Sequence, residues 1–229
     1  MILAIDTATA NLGLALFDEQ RIIAEEEMPA AASHTVDLAP AVEELLRRAA
    51  VPTAAIKALA VAQGPGSFTA LRIGLAFAAG FALPRNLPVI GVTTFDILAG
   101  AVPAGKETLV TIVRAGRGRI AWCEYQALKG VWQAGGVTQV SDWATLAANA
   151  PRKALICGEI DRDGRATIEK RRDLTIAPPH VCLRRAGVLA QLAAEKLREV
   201  KGRPPLPLPV YLPTLDGAAV ESKGHGKEP

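Results

Sequence analysis

Apolar runs of four to seven residues alternate with polar breaks along the first hundred positions. Ile2 to Ile5 ends in Asp6-Thr7-Ala8-Thr9, the pattern of a buried strand entering a polar turn. Leu12 to Phe17 is a second run, closed by Asp18-Glu19-Gln20, and Arg21 to Glu27 is a third extended run ending in acids. Three strands with short connections predict an antiparallel meander. Helical spacing begins after Ser33, with Leu38, Val42, Leu45, Leu46 and Ala49 on one face. Asp37, Glu43, Glu44, Arg47 and Arg48 cover the other face, and Pro52 ends the helix. Ala58 to Ala62 reads as a strand, Thr69 or Ala70 to Leu83 as a helix stopped by Pro84, and Pro88 to Val92 as a strand. Thr93 or Thr94 caps a further helix containing Phe95, Ile97 and Leu98. The order βββαβαβα is that of a ribonuclease-H-like lobe.

Pro103 and Gly105 punctuate the chain, and a second series follows. Leu109 to Val113, Ile120 to Tyr125 and Val131 to Val140 are extended runs. A helix over Asp142 to Asn149, a strand over Ala154 to Cys157 and an amphipathic helix over Arg184 to Val200 complete it. The plan repeats in element order only. Expected lobes therefore span residues 1–103 and 104–215, with the helix at 184–200 as a candidate to pack back near the first lobe, and a loose, charged tail over 216–229. Pro204, Pro205, Pro207 and Pro209 exclude helix there, while Val210-Tyr211-Leu212 can dock as a strand.

The helix from Ala70 to Leu83 lacks the polar back that a surface helix carries. Ile73, Phe77 and Phe81 form one stripe, Leu71, Leu75, Ala79 and Leu83 another, and Ala70, Gly74 and Ala78 a small-residue seam; Arg72 is its one charge. Either another element of the chain or a partner subunit covers it, and the seam suits close approach of a partner helix.

Composition sharpens this picture. Half of the 229 residues are apolar, which excludes disordered, collagenous and disulfide-scaffold classes. Alanine occurs 42 times against ten aromatics, so backbones approach closely rather than resting on bulky anchors. Residues 1–103 hold 6 Lys/Arg against 10 Asp/Glu, and residues 104–229 hold 20 against 13. Basic clusters lie at Arg114, Arg117 and Arg119 with Trp122, and at Lys170-Arg171-Arg172, without a nucleic-acid-binding motif; each reads as a solvated face. Cys123, Cys157 and Cys182 form no CxxC pair, and His34, His180 and His225 form no ligand pair, so neither a disulfide framework nor a metal site is expected. His34 is expected at a helix start, as a polar surface group. No basic leader precedes the first apolar run, and no apolar stretch reaches the roughly 20 residues of a membrane span, so a soluble cytoplasmic protein is expected.

Two segments carry candidate chemistry. Gly64-Pro65-Gly66-Ser67 lies between a strand and a helix, where glycine amides and a helix N-terminus can cradle an anion; the same loop serves equally as a tight turn. It lacks the Lys-Ser/Thr of a Walker loop, the third glycine of a dinucleotide fingerprint and the glycines of a nucleophile elbow. Asp6, Thr7 and Thr9 at a strand end can hold magnesium and phosphate, or satisfy turn amides.

Three strings in order carry a family resemblance: Ile5-Asp6-Thr7-Ala8-Thr9; Ser33-His34-Thr35 leading to Leu38-Ala39-Pro40; and Gly64-Pro65-Gly66-Ser67-Phe68-Thr69-Ala70-Leu71-Arg72-Ile73-Gly74. Together they resemble the TsaB (YeaZ-type) proteins over about residues 1–103. The resemblance implies an α/β actin-like ATPase (ASKHA) fold of two ribonuclease-H-like lobes. It also implies a scaffolding and activating role without catalytic residues of its own. The process is formation of N6-threonylcarbamoyladenosine beside the anticodon of tRNAs reading codons that begin with adenine. Implied partners are a TsaD-like catalytic subunit, a TsaE-like ATPase and, when alone, a second copy; tRNA is met only through the complex. Leu38, Val42, Leu71, Ile73, Gly74, Phe77, Ala78 and Phe81 are the expected interface. Asp6, Thr7, Thr9, Gly64, Gly66 and Ser67 are read as a vestigial phosphate site, with no cofactor required and nucleotide binding weak or absent. Arg114 and Arg119 stand where the family typically has acids, which weakens a cation site and strengthens an anion site. The competing reading is a metal-dependent glycoprotease-like peptidase or an ATP-using enzyme of the same fold.

Overall fold

The protein is described here by a computed structural model covering residues 1–30 and 33–212. Two sheets organise it. In the first, β1 (Ile2–Asp6), β2 (Asn11–Phe17) and β3 (Ile22–Pro29) form an antiparallel meander, and β4 (Ala58–Gly64) and β5 (Val89–Thr93) add parallel to β1. The spatial order is β3-β2-β1-β4-β5. The second sheet uses β6 (Leu109–Gly116), β7 (Arg119–Leu128), β8 (Val131–Ala134), β10 (Leu155–Gly158) and β11 (Thr175–Ile176) in the corresponding order β8-β7-β6-β10-β11, with β9 (Gln139–Ser141) beside β7. Each lobe is ribonuclease-H-like, and the pair gives the actin-like α/β architecture. The extended run at 131–140 is two strands, separated around Gly135 and Gly136.

Side chains alternate across the first sheet as strand geometry requires. One face presents Leu3, Ile5, Leu12, Leu14, Leu16, Leu59 and Val61. Helices α1 (His34–Arg48) and α2 (Phe68–Ala82) pack there through Leu38, Val42, Leu45, Ala78 and Ala82. The opposite face presents Ala4, Ala15, Ala58, Ala60 and Ala62. Helix α6 (Ala186–Glu199) lies on it through Ala186, Leu189, Ala190, Ala193 and Ala194. The abundant alanines thus build a flat, close helix–sheet contact.

The two lobes exchange their last helices. Helix α3 (Thr94–Gly100) ends the first series, yet Phe95, Leu98 and Ala99 are buried with Leu109, Val113, Ala121, Cys123 and Tyr125 of the second sheet. Helix α6 ends the second series and is buried on the first sheet. The other face of the second sheet is covered by α4 (Trp143–Asn149) and α5 (Arg162–Ile168), with Trp122, Trp143, Leu146 and Ile168 in that core.

Helix α6, the candidate to pack back, lies on the first sheet, and Val210 docks beside β4, while Leu212 packs with the core of the second sheet. After α6 the proline-rich segment runs extended, as its prolines require. Val210 donates its N–H to the Gln63 carbonyl at 2.6 Å, and Tyr211 packs on Phe68 with ring centroids 4.9 Å apart. Residues 210–212 dock by this single ladder-like bond without forming a strand. Gly64, at φ +103°, is required here, because a Cβ would meet the Val210 carbonyl. The expected tail at 216–229, and residues 213–215, lie outside the described residues.

Candidate functional site

The two segments singled out for chemistry meet, and one cation ties the Asp6–Thr9 turn to the second lobe. Arg184 lies two residues before the first residue of α6 and is only 10% exposed. Its Nε donates to Asp6 Oδ2 at 3.0 Å, one terminal nitrogen donates to Thr9 Oγ1 at 2.7 Å, and the other pairs with Glu159. Asp6 ends β1, the central strand of the first sheet, and Glu159 follows β10, which lies beside the central strand β6 of the second. Burial penalises the Arg184 cation, but Asp6 and Glu159 outweigh that penalty, so its pKa lies above the ordinary value. Glu159 also accepts the Arg114 backbone N–H at 2.8 Å, which joins the hairpin of the second lobe to the same network.

The candidate phosphate site is folded in on itself. Asp6 Oδ1 accepts the Ala8 N–H at 2.8 Å, and the Thr7 hydroxyl donates to the Ala70 carbonyl at 2.7 Å. Ser67 donates its N–H to the Ala8 carbonyl at 2.8 Å, and Thr94 donates its hydroxyl to the Pro65 carbonyl at 2.6 Å. A Cβ on Gly66 would strike the Ala8 backbone, so that glycine permits loop-on-turn contact. Asp6, Thr7, Thr9, Gly64, Gly66 and Ser67 thus lie on one turn and one loop that touch through Ala8. Their donors and acceptors face one another and Arg184. Asp6 Oδ2, an oxygen that could meet a cation, is held by the Arg184 guanidinium, and the Ser67 amide is committed to the Ala8 carbonyl. Among the described residues no group of three or more His, Cys, Asp or Glu side chains is placed to hold a metal.

The expected interface divides in two. Leu38, Val42, Leu71, Gly74 and Ala78 are buried within the first lobe. The seam of Ala70, Gly74 and Ala78 faces inward: a Cβ on Gly74 would strike the Thr7 hydroxyl, so its smallness serves intramolecular packing. This corrects the assignment of those five residues to a contact surface. Ile73, Phe77 and Phe81 are half-buried, and between them Ala76 and Gly80 face solvent. Beyond Gly80 there is nothing within 4 Å of a Cβ position. Helix α1 runs alongside and leaves Val36 61% exposed. A groove of about 400 Å³ between the helices is lined by Ala39, Glu43, Leu46, Phe77 and Phe81. At the end of α2, Arg72 sits 3.8 Å over the half-exposed Phe68 ring and donates to the Tyr211 hydroxyl at 2.8 Å.

Other expectations resolve at single residues. His34 begins α1 but is buried, with Nε2 3.2 Å from the Asn11 carbonyl at the start of β2; it is not a surface group. Trp122 is core, with its indole N–H on Ser141, so it is no partner to the basic cluster. Arg171 is committed to Asp173 and to the Ala147 and Ala150 carbonyls at the end of α4. Arg114 is exposed, whereas Arg119 is half-buried with its Nε lacking a hydrogen-bond partner among the described residues. Sequence reasoning missed Arg184 and Glu159. The available signal was Arg184-Arg185 at a helix N-terminus, where the dipole disfavours cations and partners must come from elsewhere. Among the described residues no helix is long and apolar enough to cross a membrane.

This architecture and these motifs have close counterparts. A family model described as "TsaD: tRNA N6-adenosine threonylcarbamoyltransferase" matches residues 27–171. The tRNA threonylcarbamoyladenosine biosynthesis protein TsaB of Bacillus subtilis (strain 168) is 31% identical over 160 residues, covering 69% of this chain and 70% of that one. The chain belongs to the TsaB family. The protein of the same description from Escherichia coli (strain K12) is 37% identical over 134 residues, 57% of this chain; the match spans 58% of that relative's length. The solved structure of YeaZ from Pseudomonas aeruginosa superposes with a TM-score of 0.75 at 28% identity, covering 92% of this chain and 99% of that one. The structural likeness therefore takes in both lobes.

Proposed function

We propose that this TsaB-family chain is a non-catalytic subunit in the formation of N6-threonylcarbamoyladenosine on tRNA. It holds and activates a TsaD-like catalytic partner, and a TsaE-like ATPase joins the same assembly. The observation that carries this reading is the outer stripe of α2. Ala76 and Gly80 face solvent between the half-buried Ile73, Phe77 and Phe81, where a surface helix would carry polar residues. When the partner is absent, the same face pairs with a second copy. tRNA is contacted only within the complex. The Arg184 network supports the non-catalytic part, since the atoms that would receive a cation and a phosphate bond to the protein itself.

The test uses Gly80→Arg, which adds bulk at an open position and leaves the core intact. Co-expression with the TsaD of the same genome should give a complex that this variant abolishes, with matching loss of the tRNA modification in a strain depleted of its own TsaB. Unchanged complex and unchanged modification would refute the surface assignment. Calorimetry with magnesium and ATP on the pure chain addresses the competing enzyme reading: tight binding with turnover would establish it, and weak or absent binding is expected.

A further inference from the structure

A second cluster lies beside the Arg184 network and takes no part in it. Cys157 is the penultimate residue of β10 and is fully buried; its thiol lies 3.2 Å from the Val181 carbonyl. Cys182 is half-buried, 3.5 Å from the Ala177 carbonyl, and Ala177 itself donates its N–H to Ile156, the neighbour of Cys157. The Cys157 thiol thus rests on the backbone of the residue next to Cys182, and the loop from Ala177 to Cys182 wraps the end of β10 and brings Cys182 beside Cys157. Cys182 lines an open cavity of about 390 Å³ together with Arg114, Glu159, Asp161, Arg165 and Leu183. The surroundings differentiate the two sulfurs. The Cys157 thiol, the Gly158 N–H, and the Arg165 and His180 charges hold the Cys182 thiol below its ordinary value, against burial. Cys157 is pushed up by its contact with Cys182 and by burial. Both are free thiols in this structure.

We propose that Cys182 and Cys157 are a peroxide-responsive dithiol, in which Cys182 is the reacting thiol and Cys157 the resolving one. The Cys182 thiolate attacks a peroxide oxygen; a sulfur–oxygen bond forms, the oxygen–oxygen bond breaks, and the leaving hydroxide takes a proton to become water. Sulfur is oxidised by two electrons and the peroxide is reduced. The Cys157 sulfur then attacks the sulfenic sulfur. The disulfide forms, and the departing hydroxide leaves as water with the Cys157 proton. Two thiols and one hydrogen peroxide yield one disulfide and two waters. Cys182 stands two residues before Arg184, and Glu159 two residues after Cys157, so the disulfide would tie together the two segments that meet at the lobe junction.

The test is made on the full chain in its folded state. After brief hydrogen peroxide treatment, free thiols are blocked and the protein is digested without reduction for mass spectrometry. A peptide pair joined through Cys157 and Cys182 is expected, lighter by two hydrogens and restored by a thiol reductant. Buried Cys123, on β7, is expected to remain reduced and serves as the internal reference. In Cys157→Ser, Cys182 should stop at a sulfenic acid that a dimedone-type probe captures. In Cys182→Ser, Cys157 should resist peroxide. Oxidation of Cys182 no faster than that of Cys123, or accumulation of its sulfinic acid in the unaltered chain with no joined peptide, overturns the proposal. The decisive readout is on the unaltered chain, so it does not depend on either variant folding.

Discussion

Replacing Arg184 by methionine removes one cation from between two carboxylates and leaves a side chain of similar length. The Asp6 side chain is 6% exposed and keeps only the Ala8 N–H at Oδ1, so its second oxygen is left buried without a partner. Glu159 is 21% exposed and retains the Arg114 N–H, so water restores part of what it loses. Breaking a buried pair from one side costs about 3–5 kcal/mol, and the partial recovery at Glu159 places this case near the lower end, about 3 kcal/mol. With a urea m-value of about 3 kcal/mol/M for a chain of this size, the unfolding midpoint should fall by about 1 M. Urea titration followed by far-ultraviolet circular dichroism measures it. The double variant Arg184→Met with Asp6→Asn should regain about half of the loss, because the stranded charge is gone. A midpoint within about 0.2 M of the unaltered chain, below roughly 0.6 kcal/mol at that m-value, would refute the buried-network reasoning. So would a double variant no more stable than the single one.

Gly74→Ala should cost about 1–3 kcal/mol in the same titration, since its methyl group meets Thr7, whereas Gly80→Ala should change the midpoint little or raise it. Glu25 provides a pH test. Burial raises its pKa, but the Arg185 hydrogen bond and the Gly187 N–H together hold it below the ordinary 4.5. That contribution is therefore complete above about pH 4.5 and is lost as pH falls through the lower folded value; Glu25→Gln should flatten this part of the stability–pH curve. Alkylation of Cys182 by a small maleimide should reach half its maximal rate well below the ordinary thiol value of 9.0, and a midpoint at or above that value would contradict the environment described for it.

Much of this fold could be read from the chain, because hydrophobic period and turn chemistry act locally. The meander at β1 to β3, the helices at α1 and α2, and Thr93 as a cap accepting the Asp96 N–H all follow from neighbouring residues. Long-range decisions were less legible. Ala70, Gly74 and Ala78 signal close approach without saying to what, and a turn bearing Thr7 takes the place of a partner helix. The short α5 and β11 carry too few apolar positions for a clear period. The loop and turn of the candidate site stood out through Gly64, Gly66 and Asp6. The cation that holds the turn did not, because Arg184 is 178 residues from Asp6 and belongs to no motif. Cys157 and Cys182 are likewise 25 positions apart and meet only because a loop wraps the end of β10.

The exchange of α3 and α6 has a consequence for biosynthesis. The alanine face of the first sheet is complete in strands once β5 has been made, but α6, which covers it, begins at Ala186. A ribosome must therefore add about 90 residues, at some 5–20 per second, before that face is sealed. For several seconds the nascent chain holds an uncovered sheet, which makes the first lobe a natural client for chaperones. A chain interrupted after residue 103 should aggregate rather than persist as a free domain.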